Sequence, residues 1–275
     1  FFPDHRSLLP AFEEGLIDGL GHIAPDDVAT AASLDDLTLY SAPLAGYTMV
    51  LLNLNSPNVP FFQDKAVRQA LLYALDRQQL IDTVLAGQGL VAHSPILPGT
   101  WAYDEQVSQY HVDLKTANAL LDAAGWQDSD GDGIRDRGGR ALEFVLLSND
   151  LPPNPAEAEF IAQAWARIGV RAVPQAVTFA GLVSDFLVPR NYDAMLWHWE
   201  LPGDPDPYPL WHSTQINSGQ NYAGWNNRRA DELIEQARGI SNREQRRELY
   251  VQFQQIFAEE VPALLLYYPA YTYGI

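Results

Sequence analysis

The segment Tyr47 to Leu54, Tyr-Thr-Met-Val-Leu-Leu-Asn-Leu, is nearly all apolar or β-branched and halts at Asn55-Ser56-Pro57. A strand with apolar side chains at odd and even positions alike must be covered on both faces, so the segment predicts a sheet with layers on either side. Leu142 to Leu147 reads as a second strand and Val170 to Val177 as a third. Between them Ala156 to Ile168 reads as a helix with Phe160, Ile161, Ala164, Trp165 and Ile168 on its apolar side. Strand, helix, strand is a βαβ rhythm and points to an α/β fold. Ala263 to Tyr268 supplies a final buried strand. With 275 residues and 47% apolar content, the chain can build a substantial core as one large domain or two small ones.

The helices announce themselves by their caps. Ala11 to Leu16 reads as a short helix, and Pro25-Asp26-Asp27 can cap another turn. Asp64 caps a helix from Lys65 to Leu75 with Val67, Leu71, Ala74 and Leu75 on one face. Asp76 caps a second from Arg77 to Ala86 that closes at Gly87. Capping and surface pairing explain Asp76 and Arg77 without chemistry. Asp113 opens a helix through Ala124 with Gly125 as its stop. Arg229 to Arg238 and Arg243 to Glu260 are helices, the latter carrying Leu249, Phe253, Ile256 and Phe257.

Charge and composition remove several classes of function. Lys and Arg total 17 against 35 Asp and Glu, a formal charge of -18, which repels a phosphate backbone and most anionic membrane surfaces. Nucleic acid is excluded as a partner on that ground, and the spread of the carboxylates fits simple solubility. The chain has no cysteine, so disulfides, a thiolate nucleophile and a Cys-type zinc site are unavailable. No run approaches the apolar length of a membrane span, and Phe1 to Arg6 lack a signal-peptide pattern. The start without methionine predicts a processed product or a piece of something longer.

Catalytic motifs are absent. There is no Gly-x-Ser-x-Gly elbow, phosphate-cradling loop, His-Glu-x-x-His pair or dinucleotide fingerprint. The histidines, His5, His22, His93, His111, His198 and His212, never approach zinc-ligand spacing.

Two constellations remain. In Tyr192 to Trp211 a short apolar run ends in Trp197, His198, Trp199 and Glu200, then meets four prolines within eight residues, which can continue neither helix nor ladder. Indoles, an imidazole and a carboxylate at a strand end suit a small-molecule pocket, though aromatics in such a place also serve as core. Glu200 with Asp204 could form the carboxylate pair of a hydrolase. Turn and cap roles account for Asp204 and Asp206 more simply. The second constellation is Asp128, Asp130 and Asp132, whose alternation lets three carboxylates converge on one calcium ion, with Gly133 permitting the sharp turn and Asp136 falling where a ninth loop position contributes through water. Gly139 stands where a bidentate Glu should close such a loop, and Ile134 comes one place early. A solvated acidic hairpin loop is the alternative, and a calcium bound here would only brace the turn.

Phe62-Gln-Asp64-Lys-Ala-Val67-Arg68-Gln-Ala70-Leu-Leu-Tyr73-Ala74-Leu-Asp76-Arg77 closely resembles the signature of the family 5 extracellular solute-binding proteins, receptors of ABC importers for oligopeptides, dipeptides, nickel and oligosaccharides. Further pieces follow in the family's order: Ala117 to Trp126, Ile168-Gly169-Val170, Tyr192-Asp193 leading to Trp199 and Asp204-Pro205-Asp206, Asn221 to Asn226, Arg246 to Tyr250, and Glu260-Val261-Pro262-Ala263. The similarity runs from Glu14 to Tyr271.

The resemblance implies an α/β, periplasmic-binding-protein-like lobe of the type II, dipeptide-binding-protein-like kind, with a mixed sheet flanked by helices. Residues 1–46 would be the tail of the first lobe and the hinge, and residues 47–275 the second lobe. Most of the first lobe, and with it half of the cleft, would lie on polypeptide outside this chain. The resemblance further implies a non-enzymatic receptor outside the cytoplasmic membrane, periplasmic or at the cell surface, that hands its solute to ABC permease subunits and needs no cofactor.

In peptide-binding relatives the strand end matching Leu196 to Glu200 touches the ligand, so the contacts implied here are Trp197, His198, Trp199, Glu200, Asp204 and Asn221. One departure matters: those relatives hold the ligand's ammonium group with an Asp shortly after the tryptophan, where this chain has Leu201-Pro202. Glu200 can substitute through charge-assisted bonds. Stacking of Trp197 and Trp199 on sugar rings is the alternative, with peptide the first choice.

Overall fold

The computed structural model describes residues 7–21 and 23–275. The sequence readings on Phe1 to Arg6, His5 included, and on His22 lie outside the described residues. The strands are β1 (Leu39–Pro43), β2 (Gly46–Leu52), β3 (Gly89–Val91), β4 (Asp136–Arg137), β5 (Arg140–Ala141), β6 (Glu143–Asn149), β7 (Arg171–Val177), β8 (Ala194–Glu200) and β9 (Ala263–Gly274). Among the described residues, seven strands form one mixed sheet in the order β1-β9-β2-β8-β6-β7, with β3 also on β9, while β4 and β5 make a separate hairpin.

β6 runs parallel to both β7 and β8, and the helix Asn154–Ala166 crosses between β6 and β7, as the βαβ pattern predicted. β2 is antiparallel to β8 and β9. Every residue of β2 is buried, which is what its unbroken apolar run required. Alternation sends Tyr47, Met49 and Leu51 to one face and Thr48, Val50 and Leu52 to the other. On the first face Trp211 donates its Nε1–H to the Tyr47 hydroxyl and packs edge-on against Phe257 of the helix Arg243–Glu260. On the second face Glu157 of the helix Asn154–Ala166 meets Tyr267 of β9.

Asp64, Asp76 and Asp113 cap their helices as the sequence indicated, accepting from the backbone N–H of Ala66, Gln79 and Thr116, each at 3.0 Å. These helices run Lys65–Tyr73, Arg77–Val84 and Leu114–Ala123. The surface role expected for Arg77 is corrected: it is buried, and its guanidinium donates to the carbonyls of Ala92, Leu265 and Tyr110. Arg68 does the same for the end of the long helix, bonding the carbonyls of Glu260 and Val261 and those of Phe62 and Gln63. The two arginines of the Phe62 to Arg77 motif therefore staple backbone turns together. A buried guanidinium that finds several backbone carbonyls offsets much of the cost of burying its charge.

One large apolar core spans Tyr47 to Tyr268. A separate small cluster of Leu20, Ile23, Ala31 and Leu37 serves the residues before β2. β9 links the two, pairing with β2 over Ala263 to Tyr267 and with β1 over Ala270 to Gly274. No helix among the described residues is long and apolar enough to cross a membrane.

Candidate functional site

The parallel strands β6, β7 and β8 all end at one edge of the sheet, and β2 begins there. In open α/β sheets ligands bind outside the carboxyl ends of the strands. Large apolar side chains that the core leaves uncovered gather at this edge: Leu151 beyond β6 is 58% exposed, Phe179 beyond β7 52%, and Leu44 before β2 47%. Exposed apolar groups sharing one edge mark a surface built to be covered.

Trp197 and Trp199 lie partly exposed on one face of β8, while His198 and Glu200, both exposed, lie on the other. The Phe179 ring stacks on Trp197 with centroids 6.1 Å apart and planes 11° from parallel. Trp197 meets Trp199 edge-on at 5.8 Å, and Trp199 stacks on Tyr222 at 6.1 Å and 12°. Arg190 closes the row, its guanidinium 4.9 Å from the Tyr222 ring centre. Trp197 Nε1 is buried without a hydrogen-bond partner. A row of flat, partly exposed rings can bind an extended or ring-bearing molecule.

The opposite face has different chemistry. His198 Nδ1 lies 3.2 Å from the Thr48 hydroxyl, and its ring seats against Gly46, where a Cβ would stand 2.9 Å from Cε1 and 2.4 Å from the Trp199 carbonyl. Only glycine allows β2 and β8 to approach so closely. Desolvation lowers the His198 pKa, with the Glu200 carboxylate opposing. Behind Thr48 the Tyr267 hydroxyl donates to Glu157 Oε1 at 2.8 Å, and Glu157 is fully buried with Oε2 unpartnered. Burial lifts the Glu157 carboxyl to about 7, with the Tyr267 bond pulling the other way. Burial also holds the Tyr267 hydroxyl proton well beyond the usual phenol range. Next to this group lies an open cavity of about 630 Å³ bordered by Leu44, Pro152, Pro153, Ala156, Tyr267 and Pro269, with Asp26 and Gln88 among its polar lining.

Two of the contacts expected from the sequence are corrected. Asn221 is fully buried: its Nδ2 donates to the carbonyls of Trp211, His212 and Trp225, and its Oδ1 accepts from the backbone of Gly224 and Trp225. It shapes the loop and has nothing left for a solute. Asp204 accepts two bonds from Arg246, at 2.9 and 2.6 Å, and this fork holds the proline-rich loop to the long helix. Asp206 accepts from the Tyr208 backbone, as a cap should, and pairs with Arg238. The hydrolase pair loses its second carboxylate to this clamp.

Asp128, Asp130 and Asp132 bring carboxylate oxygens within 4.8 Å of one another on an exposed turn, a donor set of the hard-oxygen kind calcium takes. Asp136 lies outside this cluster, and both the Ser129 hydroxyl and its backbone N–H donate to Asp136 Oδ2.

Comparison with known proteins gives the arrangement its relatives. The family model for bacterial extracellular solute-binding proteins, family 5 middle, matches residues 1–221. The chain belongs to that family. Oligopeptide-binding protein AppA of Bacillus subtilis (strain 168) is 35% identical over 271 residues, covering 97% of this chain and 49% of the relative. The structure of AppA from Bacillus subtilis in complex with a nonapeptide superposes with a TM-score of 0.85 at 33% identity, over 100% of this chain and 54% of that one. NikZ from Campylobacter jejuni in complex with Ni(L-His) gives 0.83 at 25% identity, over 98% and 54%. The chain thus spans about half the length of these relatives. Its fold is the periplasmic-binding-protein-like lobe, a mixed sheet flanked by helices.

Phe179, Tyr222, Leu44, Leu151 and the Thr48, Tyr267 and Glu157 group escaped the sequence reading. Glu157 had a signal: it shares the helical stripe of Ile161, Trp165 and Ile168, where a carboxylate is out of place. Tyr222 had none, since only the folded loop brings it to Trp199.

Proposed function

We propose that this chain is the second lobe of an ABC importer's solute receptor, that residues 1–46 belong to the first lobe and hinge, and that the captured solute is a peptide. The gathering of Phe179, Trp197, Trp199 and Tyr222 at the carboxyl edge of the sheet, with exposed His198 and Glu200 on the other face of the same strand end, carries the reading. Apolar rings take peptide side chains, and Glu200 takes the ammonium group that the Asp of peptide-binding relatives would hold. One relative, the oligopeptide-binding protein AppA, whose structure holds a nonapeptide, supports this choice. Capture occurs outside the cytoplasmic membrane, in keeping with the family's description, and the closed receptor delivers its solute to the permease.

A ligand shifts a two-lobed protein toward the shut form only through contacts made better in that form. Trp199 and Glu200 therefore act with an opposite wall on the first lobe. The stacked rings also favour sugars, and an oligosaccharide receptor is the second reading. Calorimetry on the full-length protein with mixed peptides and with oligosaccharides tests both: saturable heat with peptides alone supports the first reading, and no heat with either ends the proposal.

A further inference from the structure

We propose that the open cavity beside Tyr267 is a subsite for a basic side chain of the solute, a lysine or arginine of a bound peptide. The inference rests on the reading that a peptide is captured at this edge of the sheet, and it names the kind of peptide preferred.

The cavity lies on the His198 face of the sheet, because its wall residue Tyr267 pairs with Thr48 and Thr48 pairs with His198. Leu44, another wall residue, stands two residues before Gly46, the partner of Glu200 across the β2–β8 ladder. The backbone at Leu44 and at Glu200 is therefore on the order of 10 Å apart, within the span of a short peptide. The volume, about 630 Å³, is that of a small-molecule site.

The polarity of the walls decides the class of guest. Four lining side chains carry polar groups, Asp26, Thr83, Gln88 and Tyr267, and the rest are Ala, Leu, Pro and Val. The Thr83 hydroxyl donates to the Gln79 carbonyl at 2.7 Å and the Tyr267 hydroxyl to Glu157 Oε1 at 2.8 Å, so each has spent its one proton. Gln88 is only 8% exposed; its Nε2 donates to the Ile23 carbonyl at 2.8 Å, and its Oε1 accepts nothing from the described residues. Asp26 is exposed and has no ion-pair partner among the described residues.

Backbone donors are scarce as well. Pro25, Pro152, Pro153 and Pro269 have no N–H, and those of Leu44, Ala156 and Ala270 already bond to the carbonyls of Pro269, Pro153 and Gln88. The start of the helix Asn154–Ala166, a kind of place that often receives an anion, has little left to offer one. What stays open are acceptors, a carboxylate and an amide oxygen, set among apolar walls. Such a cavity takes a guest with an apolar stem and a cationic, donor-bearing end, the form of lysine and arginine, and rejects a carboxylate, which would meet acceptors only.

Calorimetry on the full-length protein with Ala-Lys-Ala, Ala-Glu-Ala and Ala-norleucine-Ala tests the assignment, since norleucine keeps the lysine stem without its charge. Ala-Lys-Ala is expected to bind about tenfold more tightly than the norleucine peptide, the scale of one charge-assisted bond, and Ala-Glu-Ala to bind least tightly. Asp26→Asn and Gln88→Met, which alter the two acceptors one at a time, should each reduce the ratio of lysine to norleucine affinity. Equal affinity for the lysine and norleucine peptides, the result expected if a segment of the longer polypeptide fills the cavity, overturns the proposal. A lysine advantage that both variants retain in full overturns it too. No heat with any of the three peptides ends the peptide reading, and this inference with it.

Discussion

Replacing Glu157 with glutamine isolates the cost of holding a carboxyl in the core. Glu157 is fully buried, one oxygen bonded to Tyr267 and the other unpartnered, and burial raises its pKa from 4.5 to about 7. A group whose pKa is higher when folded binds its proton more tightly in the native state. Its favourable contribution is therefore complete below the unfolded value and is lost as pH rises through the folded one. A difference of this size is worth about 3 kcal/mol of stability between about pH 4 and about pH 8. The glutamine side chain has the same shape and no charge, so this pH dependence should vanish in the variant. Leaving an amide N–H₂ unpaired costs about 1–3 kcal/mol, but by the same amount at every pH. Urea unfolding of wild type and Glu157→Gln across that range is the assay. The gap between the two curves should move by about 3 kcal/mol in favour of the variant as pH rises. Parallel curves would refute the reasoning.

Other outcomes follow from single contacts. Trp199→Ala removes the ring between Trp197 and Tyr222 and should weaken peptide binding by about 2 kcal/mol, roughly 30-fold, with the unfolding midpoint little changed. Asp113→Ala deletes a helix cap and should cost about 1 kcal/mol of stability by urea titration without touching affinity. Asp204→Asn frees the proline-rich loop from Arg246; loop amides should exchange faster while global stability falls by less than about 1 kcal/mol, since the Asp204 side chain is 55% exposed. If calcium braces the acidic turn, it raises the melting temperature of wild type and not of Asp130→Asn; identical melting in calcium and in chelator removes the ion from the account.

Much of the fold was legible because periodicity and burial are local. β2 is apolar or β-branched at nearly every position and buried throughout, and a strand of that kind has one solution, a sheet covered on both sides. Asp64, Asp76 and Asp113 each wrote a helix start into the chain. Arg77 was misread because its fate depends on Ala92, Tyr110 and Leu265, which come together only in the folded chain. The site divided in the same way. Trp197 to Glu200 stood out as a cluster at a strand end. Asp204 and Asn221 looked like ligands because polar residues near a site resemble those that build its loop. Phe179 and Tyr222 completed the aromatic row from distant positions, and spacing alone holds no record of such a meeting.

The central claim, that the tip of β8 faces a solute, is tested most directly by the indole signals of the full-length protein in ¹H–¹⁵N spectra. Added peptide should shift the Trp197 and Trp199 Nε1–H resonances saturably and leave those of buried Trp126 and Trp165 in place. Saturable peptide binding that leaves Trp197 and Trp199 unmoved would contradict it.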